Sequence, residues 1–160
     1  MPTNDSPYLS SGRRLADVLA AIQIMGSYTF ASRKYDSWVE KLGEPLSAKD
    51  WSVVFTQHPE FFRVSDEWVS LRWRHGYDRT YSHEQARDLN HDEIAQLTED
   101  QRGKMTRKPL TSDQIEALMK TAIELHSREV AYQQERRWLT PLLFGLLGVI
   151  IGAVLQAALK

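Results

Sequence analysis

Residues 61–74 read FFRVSDEWVSLRWR, and the hydrophobic pattern of the chain changes its period within this stretch. Polar and apolar side chains alternate in residues 62–65 and again in residues 68–74. Strict alternation is typical of a half-buried β-strand, because successive side chains of a strand point to opposite faces. Only Asp66 and Glu67 join the two runs, so the stretch predicts a β-hairpin with a short acidic turn.

Three short helices are predicted before the hairpin. Apolar residues recur three and four positions apart in residues 15–22, 35–42 and 51–58, which places them on one face of each helix. Ser47 is the expected N-cap of the third helix. Between the first two helices, residues 28–31 read YTFA and favour a short strand.

The order helix, short strand, helix, helix, hairpin resembles the order of elements in a winged helix. The resemblance covers residues 12–81, with residues 28–31 as the small strand that pairs with the hairpin. It implies a winged-helix-like α+β head with one β-hairpin, in a chain that is otherwise mainly α-helical. Residues 1–11 are polar and rich in turn-forming residues, and are expected to be disordered.

The segment after the head contains several signals for the start of a helix. A capping side chain stands three positions before a glutamate or glutamine in the pairs Asn90–Glu93, Thr98–Gln101 and Thr111–Gln114. Residues 82–110 are therefore predicted to form short helices or a linker. Residues 111–138 carry a longer apolar stripe and predict an amphipathic helix, which packs on the head or associates with a second copy.

The last segment of the chain is the most apolar. Apart from apolar residues and glycine, residues 139–159 contain only a threonine, a proline and a glutamine. A bilayer core about 30 Å thick needs about 20 such residues in a helix, so the segment predicts a single transmembrane helix. Arg136 and Arg137 precede it, and positive charge favours the cytoplasmic side. The expected location is a membrane, the inner membrane in a bacterium, with a cytoplasmic head and with lipid as one partner.

Small residues in the same segment have a spacing that lets two membrane helices approach closely. They are Gly145, Gly148 and Gly152. The spacing predicts a homodimer through the membrane helix, with simple anchoring as the alternative. Pro141 leaves open whether one helix is continuous through residues 111–159 or a second helix starts at the proline.

Composition and charge exclude several classes of function. The 160 residues carry a formal net charge of −1, which gives no reason to expect phosphate binding by overall charge. The chain has no cysteine, which excludes disulfides, thiolate nucleophiles and cysteine-ligated metal sites. No metal-ligand spacing or catalytic motif includes the histidines, which are His58, His75, His83, His91 and His126. The sequence therefore predicts a protein that is not an enzyme, with no catalytic residues, no metal site and no cofactor.

A group of arginines and tyrosines on and after the hairpin is the candidate partner surface. If the two strands pair as this pattern predicts, Arg63, Arg72 and Arg74 share the solvent face of the hairpin. Tyr77 and Tyr81 follow directly and complete the candidate surface. A solvated sheet face is the simplest interpretation of these charges, and contact with a protein or with nucleic acid is the functional one.

A second resemblance covers roughly the whole chain, including the head. The stretches HDEIAQLTEDQ at 91–101 and PLTSDQIEALMKTAIELHSRE at 109–129 are similar to those of a group of short proteobacterial membrane proteins. The favoured function is a tail-anchored adaptor whose head binds another, unknown protein. A membrane-tethered nucleic-acid-binding regulator is the second hypothesis, although Lys49 and Asp50 are the only charges of the third predicted helix. A small enzyme or enzyme subunit is the third.

Overall fold

The computed structural model describes residues 6–158, and within the last helix it describes the side chains up to Glu135 together with those of Phe144 and Gln156. A 3₁₀ turn, seven helices and five strands follow one another in these residues. They are the 3₁₀ turn Pro7–Leu9, α1 (Arg14–Ser27), β1 (Ser32–Lys34), α2 (Tyr35–Leu42), α3 (Trp51–Gln57), β2 (Phe62–Ser65), β3 (Trp68–Leu71), α4 (Arg72–His75), β4 (Tyr81–Ser82), β5 (Arg87–Asp88), α5 (His91–Ala95), α6 (Glu99–Gly103) and α7 (Ser112–Ala158).

Helix α1 lies at the centre of the hydrophobic core. Its buried positions recur three and four residues apart, so one face of the helix is removed from water. Helix α7 and the 3₁₀ turn pack against α1, as do α2, α3 and β3. The fully buried apolar residues of α1 are Val18, Ala21, Ile22 and Met25.

Gly26 lies where the start of α7 meets the end of α1. A Cβ atom at Gly26 would lie 2.8 Å from Cγ1 of Ile115, closer than two carbon atoms approach. The carbonyl oxygen of Gly26 also accepts a hydrogen bond of 2.9 Å from the backbone N–H of Leu110. The absence of a side chain at this position therefore allows α7 to dock on α1.

Two buried tryptophans fix α2 and α3. The indole N–H of Trp38 donates to the carbonyl oxygen of Val69 at 3.0 Å. The indole N–H of Trp51 donates to the carbonyl oxygen of Gly43 at 2.6 Å. Both rings therefore bury apolar area without leaving their polar atom unpaired.

The third helix is capped by Asp50, and the prediction that Ser47 caps it is wrong. Helix α3 begins at Trp51, and the Asp50 carboxylate accepts a hydrogen bond from the backbone N–H of Val53. The backbone N–H and the hydroxyl of Ser47 donate instead to the buried carboxylate of Asp17. Hydrogen bonds to an ionised carboxylate are stronger than those between neutral groups, so Asp17 fixes Ser47 away from the start of α3.

Three strands form an antiparallel sheet in the order β1-β3-β2. The first strand comprises residues 32–34 and not residues 28–31 as predicted. Ser32 pairs with Ser70 of the central strand, and Ser70 pairs on its other side with Arg63. Strands β2 and β3 are joined by the predicted acidic turn. A second hairpin, β4–β5, was not predicted.

The central strand is shorter than predicted. It ends at Leu71, and the chain then forms the helical turn α4 from Arg72 to His75. The backbone N–H of Arg72 still donates to the carbonyl oxygen of Phe61 at 2.8 Å, and this is where the ladder stops. Side chains after Leu71 therefore do not follow the alternation of a strand.

The three capping pairs predicted before α5, α6 and α7 are confirmed. In α5 and α6 the capping side chain accepts from the third helical N–H, and the glutamate or glutamine accepts from the backbone N–H of the cap. Thr111 and Gln114 make the same reciprocal bonds at the start of α7. These caps satisfy backbone N–H groups that a helix leaves without internal partners.

Helix α7 runs from Ser112 to Ala158 as one helix, through Pro141. The prediction of a transmembrane helix over residues 139–159 is wrong, because within residues 6–158 as described here no helix is both long enough and apolar enough to cross a membrane.

The predicted location in a membrane that the chain crosses once depends on that helix and is wrong as well. The fold of the described residues is α+β. The surroundings of Gly145, Gly148 and Gly152 lie outside what the structure describes, and with them the predicted homodimer through the membrane helix. Residues 1–5 of the segment expected to be disordered also lie outside the described part of the chain. In the rest of that segment the 3₁₀ turn forms, and Tyr8 is buried.

Candidate functional site

Basic side chains from four parts of the chain lie close together on one side of the head. Burial, followed by the charges of Arg79 and Arg63, lowers the pKa of Arg107. Burial, followed by the charges of Arg107, Arg63 and Arg72, lowers the pKa of His75. The four arginines form one connected patch of positive charge, which we call the basic cluster. His75 lies beside it, and its lowered pKa favours the neutral imidazole.

The basic cluster has no salt-bridge partner. None of the ion pairs among the described residues includes one of its members. Asp78 is near enough to raise the pKa of Arg107, but its effect is smaller than that of burial and of the neighbouring arginines. The cluster therefore presents uncompensated positive charge to the solvent.

The register of the sheet positions the first member of the cluster. Arg63 lies opposite Ser70, and Ser70 lies opposite Ser32. Directly opposed residues share a face, as do residues two apart, so Trp68 belongs to this face as well. Val69 and Leu71 point to the other face, which is buried in the core. The outer face of the sheet therefore carries Arg63, Ser32, Trp68 and Ser70, of which Ser70 in the central strand is buried.

The segment between α6 and α7 is tied to the start of the sheet. The hydroxyl oxygen of Thr106 accepts a hydrogen bond of 3.2 Å from the backbone N–H of Ala31. The main chain of Thr106 pairs with that of Tyr81 through two hydrogen bonds of 3.0 Å. Residues 105–107 are thus held beside the outer face.

Backbone carbonyl groups hold the guanidinium groups of Arg79 and Arg107 and leave some of their N–H groups unbonded. Nε and Nη2 of Arg79 donate to the carbonyl oxygen of Met105 at 3.2 and 2.8 Å. Nε of Arg107 donates to the carbonyl oxygen of Tyr77 at 2.8 Å. Nη1 of Arg79 and both Nη atoms of Arg107 have no hydrogen-bond partner among the described residues, so they are available to an anion.

A cavity of 340 Å³ opens between the outer face and this segment, and we call it the aromatic pocket. Two of its wall residues are large exposed aromatics, since Phe30 is 44% and Trp68 49% exposed. A neighbouring cavity of 110 Å³ shares Phe30 and Met105 with it. The main walls of the aromatic pocket are Phe30, Trp68, Arg79, Met105, Thr106 and Arg107.

Arg74 is not on the candidate partner surface, contrary to the sequence prediction. It is fully buried, because the chain turns helical after Leu71 and directs this side chain inward. Its guanidinium group donates five hydrogen bonds to backbone carbonyl oxygens. These belong to Met25 at 3.0 Å, Tyr28, Thr29 at 2.8 Å, Arg107 at 2.8 Å and Lys108 at 3.0 Å.

The position of Arg74 also explains two other features. The carbonyl groups of Tyr28 and Thr29 are bonded to it, so they are not available for the strand predicted at residues 28–31. Burial lowers the pKa of Arg74 to about 10, which still leaves the group charged at neutral pH. Arg74 therefore joins the end of α1 to the segment before α7 as a structural residue.

The remaining members of the predicted surface divide into two groups. Arg63 and Arg72 are exposed and belong to the basic cluster. Tyr77 and Tyr81 are only partly exposed, and the Tyr77 hydroxyl accepts a hydrogen bond of 2.8 Å from Nε2 of Gln114. The two tyrosines therefore position the C-terminal half of the head, whereas the two arginines face outward.

A buried polar cluster lies beside the 3₁₀ turn. The Tyr8 hydroxyl donates to Oε1 of Glu60 at 2.6 Å, and Nδ1 of His58 lies 3.0 Å from the same oxygen. Burial acts to raise the pKa of Glu60, but the hydrogen bonds from His58 and Tyr8 outweigh it, and the pKa is lowered. Burial and the adjacent carboxylate raise the pKa of Tyr8, so its hydroxyl stays protonated.

A carboxylate–imidazole pair can serve in acid–base catalysis. Here the imidazole is buried, and only the Glu60 side chain, 35% exposed, reaches the solvent. His58 is fully buried, and its ring stacks edge-on against Tyr8 with centroids 4.5 Å apart. The pair therefore holds the N-terminal turn on the core. In the part of the chain that is described, no group of three His, Asp or Glu side chains is placed to hold a metal ion.

Sequence reasoning identified only part of this site. Arg63 and Arg72 were found from the hairpin pattern, and the structure places both in the basic cluster. Arg79 is one of the basic residues on and after the hairpin, although it was left out of the predicted surface. Arg107 was missed, because the bonds that align these two side chains run to the backbone of distant segments. No local signal identifies such bonds.

Comparison with known protein families, with curated proteins and with solved structures found no match to this chain.

Proposed function

We propose that the head is a protein-binding module whose basic cluster binds an acidic segment of another protein. The observation that carries the proposal is the unpaired basic cluster beside two exposed aromatic side chains, Phe30 and Trp68. Interfaces are enriched in aromatic residues and arginine, and complementary charge directs the encounter of the partners. An acidic partner segment supplies the counter-charges that the chain itself lacks at this surface.

Nucleic acid is a weaker candidate for the occupant. In winged helices that bind DNA, the third helix commonly enters the major groove, whereas α3 here buries Trp51, Val54 and Phe55 and carries no basic residue. The likeness of the head to a winged helix itself stays a proposal. None of the arginines of the basic cluster belongs to α3.

The experiment is a binding titration with full-length protein and a fluorescein-labelled peptide of about twelve residues, mostly glutamate. Fluorescence anisotropy at about 50 mM salt measures the dissociation constant. Two charge reversals, Arg63→Glu and Arg72→Glu, remove the exposed arginines of β2 and α4. We expect the double variant to bind at least about tenfold more weakly, which corresponds to about 1.4 kcal/mol.

A matched control carries the same change of net charge at a distance from the cluster. Arg13→Glu and Lys49→Glu reverse two exposed charges that make no side-chain hydrogen bond or ion pair among the described residues. This control is expected to keep the wild-type affinity within about threefold. The proposal fails if the peptide does not bind, if both double variants lose affinity equally, or if a DNA oligonucleotide of equal charge binds and the peptide does not.

A further inference from the structure

The aromatic pocket has the size and depth of a site for one side chain. Its volume of 340 Å³ lies at the lower end of the range of pockets that hold small ligands, about 300–1,000 Å³. A single aromatic ring is the natural occupant of such a space. Larger groups would require the walls formed by Phe30 and Trp68 to separate.

The pocket is apolar on two sides and is open to solvent in the free chain. Trp68 is 49% exposed, whereas Trp38 and Trp51 are fully or almost fully buried in the core. The register of the sheet fixes Trp68 on the outer face, opposite Lys34 and Ser65. An aromatic occupant would remove both exposed rings of the pocket from water and would gain ring–ring contact.

The polar side of the pocket consists of two positive charges without a counter-ion. Arg79 and Arg107 are each held by a backbone carbonyl and retain free Nη–H groups. The charge of Arg79 contributes to lowering the pKa of Arg107, so each group makes the charged state of the other less favourable. A carboxylate placed between them would relieve this repulsion and accept their free donors.

We propose that the aromatic pocket is an anchor site that takes an aromatic side chain of the partner, with an adjacent carboxylate of the same segment on Arg79 and Arg107. This inference rests on the proposed function and adds to it the type of residue that is recognised. Hot spots of interfaces are typically aromatic residues in a pocket surrounded by weaker contacts. Here the basic cluster would supply attraction, and the pocket would supply selectivity.

The test uses three labelled peptides of about twelve residues that are identical except for one central position among glutamates. That position is tryptophan, leucine or serine. Each peptide is titrated against full-length wild-type protein and the variants Trp68→Ala and Trp73→Ala. Trp73 is 41% exposed and does not line the pocket, so it is the matched control for the loss of an exposed indole.

We expect the tryptophan peptide to bind wild type and Trp73→Ala at least about tenfold more tightly than the serine peptide. The ratio falls below about threefold in Trp68→Ala, while the serine peptide keeps its charge-driven affinity. Equal affinity of the three peptides for wild type, or a ratio that survives in Trp68→Ala, would overturn the anchor site.

Failure of this inference is distinguishable from failure of the proposed function. If neither the tryptophan nor the serine peptide binds, the acidic-segment function itself is refuted. If the serine peptide binds and tryptophan adds nothing, only the anchor site is refuted. If a single-stranded oligonucleotide binds more tightly than the tryptophan peptide and loses its affinity in Trp68→Ala, the pocket serves a nucleobase, and the inference is also overturned.

Discussion

Replacement of Arg74 by methionine tests the assignment of this arginine to the core. The side chain is fully buried and donates five hydrogen bonds to carbonyl oxygens of the α1 end and of the segment before α7. Methionine has a similar unbranched stem, but it ends where the guanidinium group begins and has no donor. The substitution therefore keeps the packing of the stem and removes all five bonds together with the group that makes them.

The expected loss of stability follows from those bonds. A hydrogen bond to a charged group contributes about 1.5–3 kcal/mol, and a buried acceptor left without a partner costs about 1–3 kcal/mol. The contributions do not add, because one guanidinium group makes all five bonds and because its own cost of burial disappears with it. We therefore expect Arg74→Met to lower the free energy of unfolding by about 3–5 kcal/mol, a large part of the 5–15 kcal/mol typical of a domain.

The assay is urea unfolding of the full-length protein followed by tryptophan fluorescence, since Trp38 and Trp51 are buried beside the core. Arg72→Met is the control, because Arg72 is exposed and makes one side-chain hydrogen bond, to the carbonyl oxygen of Pro59. Arg72→Met should lower the free energy of unfolding by less than about 1 kcal/mol. Arg74→Lys keeps the charge but loses the planar guanidinium group, so its loss of unfolding free energy should lie between those of the other two variants. An Arg74→Met protein within about 1 kcal/mol of wild type would refute the reasoning.

Two further perturbations test the packing and the buried polar cluster. Gly26→Ala should cost about 1–3 kcal/mol in urea unfolding, because its Cβ would lie 2.8 Å from Ile115, whereas Gly103→Ala, with no atom within 4 Å, should be neutral or stabilising. Folding lowers the pKa of Glu60 below its ordinary value of 4.5, so Glu60 takes up a proton in the unfolded chain before it does so in the folded one. The stability that Glu60 contributes is therefore complete above pH 4.5 and is lost as the pH falls through its folded pKa. Unfolding free energies measured from pH 7 to pH 3 should fall less steeply in Glu60→Gln than in wild type; equal slopes would contradict this assignment.

Local patterns predicted those elements that depend on neighbours in sequence. The helix period placed α1, α2 and α3, and the alternation around Asp66 and Glu67 placed the hairpin between β2 and β3. The reciprocal caps before the later helices followed from residue types three positions apart. Each of these signals depends on residues that are only a few positions apart in the sequence and therefore also close in space.

Two of the errors arose where a distant partner overrode the local pattern. Arg74 fits the polar position of a strand, but carbonyl groups 45 to 49 residues earlier in the chain bind it in the core. Ser47 has the chemistry of a helix cap, but the Asp17 carboxylate takes its hydroxyl. The predicted span over residues 139–159 was judged on the composition of that segment alone, whereas α7 is one helix whose charged first half packs on α1.

For the same reason, the sequence alone indicated only part of the site. The pocket brings together Phe30, Trp68, Arg79 and Arg107, which stand far apart in the chain and form no motif. The exposed arginines of the hairpin were visible because they lie within one alternating run. Their association with Arg107 depends on Thr106 being fixed to Ala31, a contact that spans 75 residues.

The most direct test of the central claim is amide hydrogen–deuterium exchange of the full-length protein with and without a saturating amount of the acidic peptide that contains tryptophan. We expect slower exchange in residues 62–72 and 103–107, which contribute to the basic cluster and the aromatic pocket. Exchange in residues 51–57 of α3 should be unchanged. Protection confined to residues 51–57, or no protection at saturating peptide, would contradict the claim that the outer face of the sheet binds an acidic protein segment.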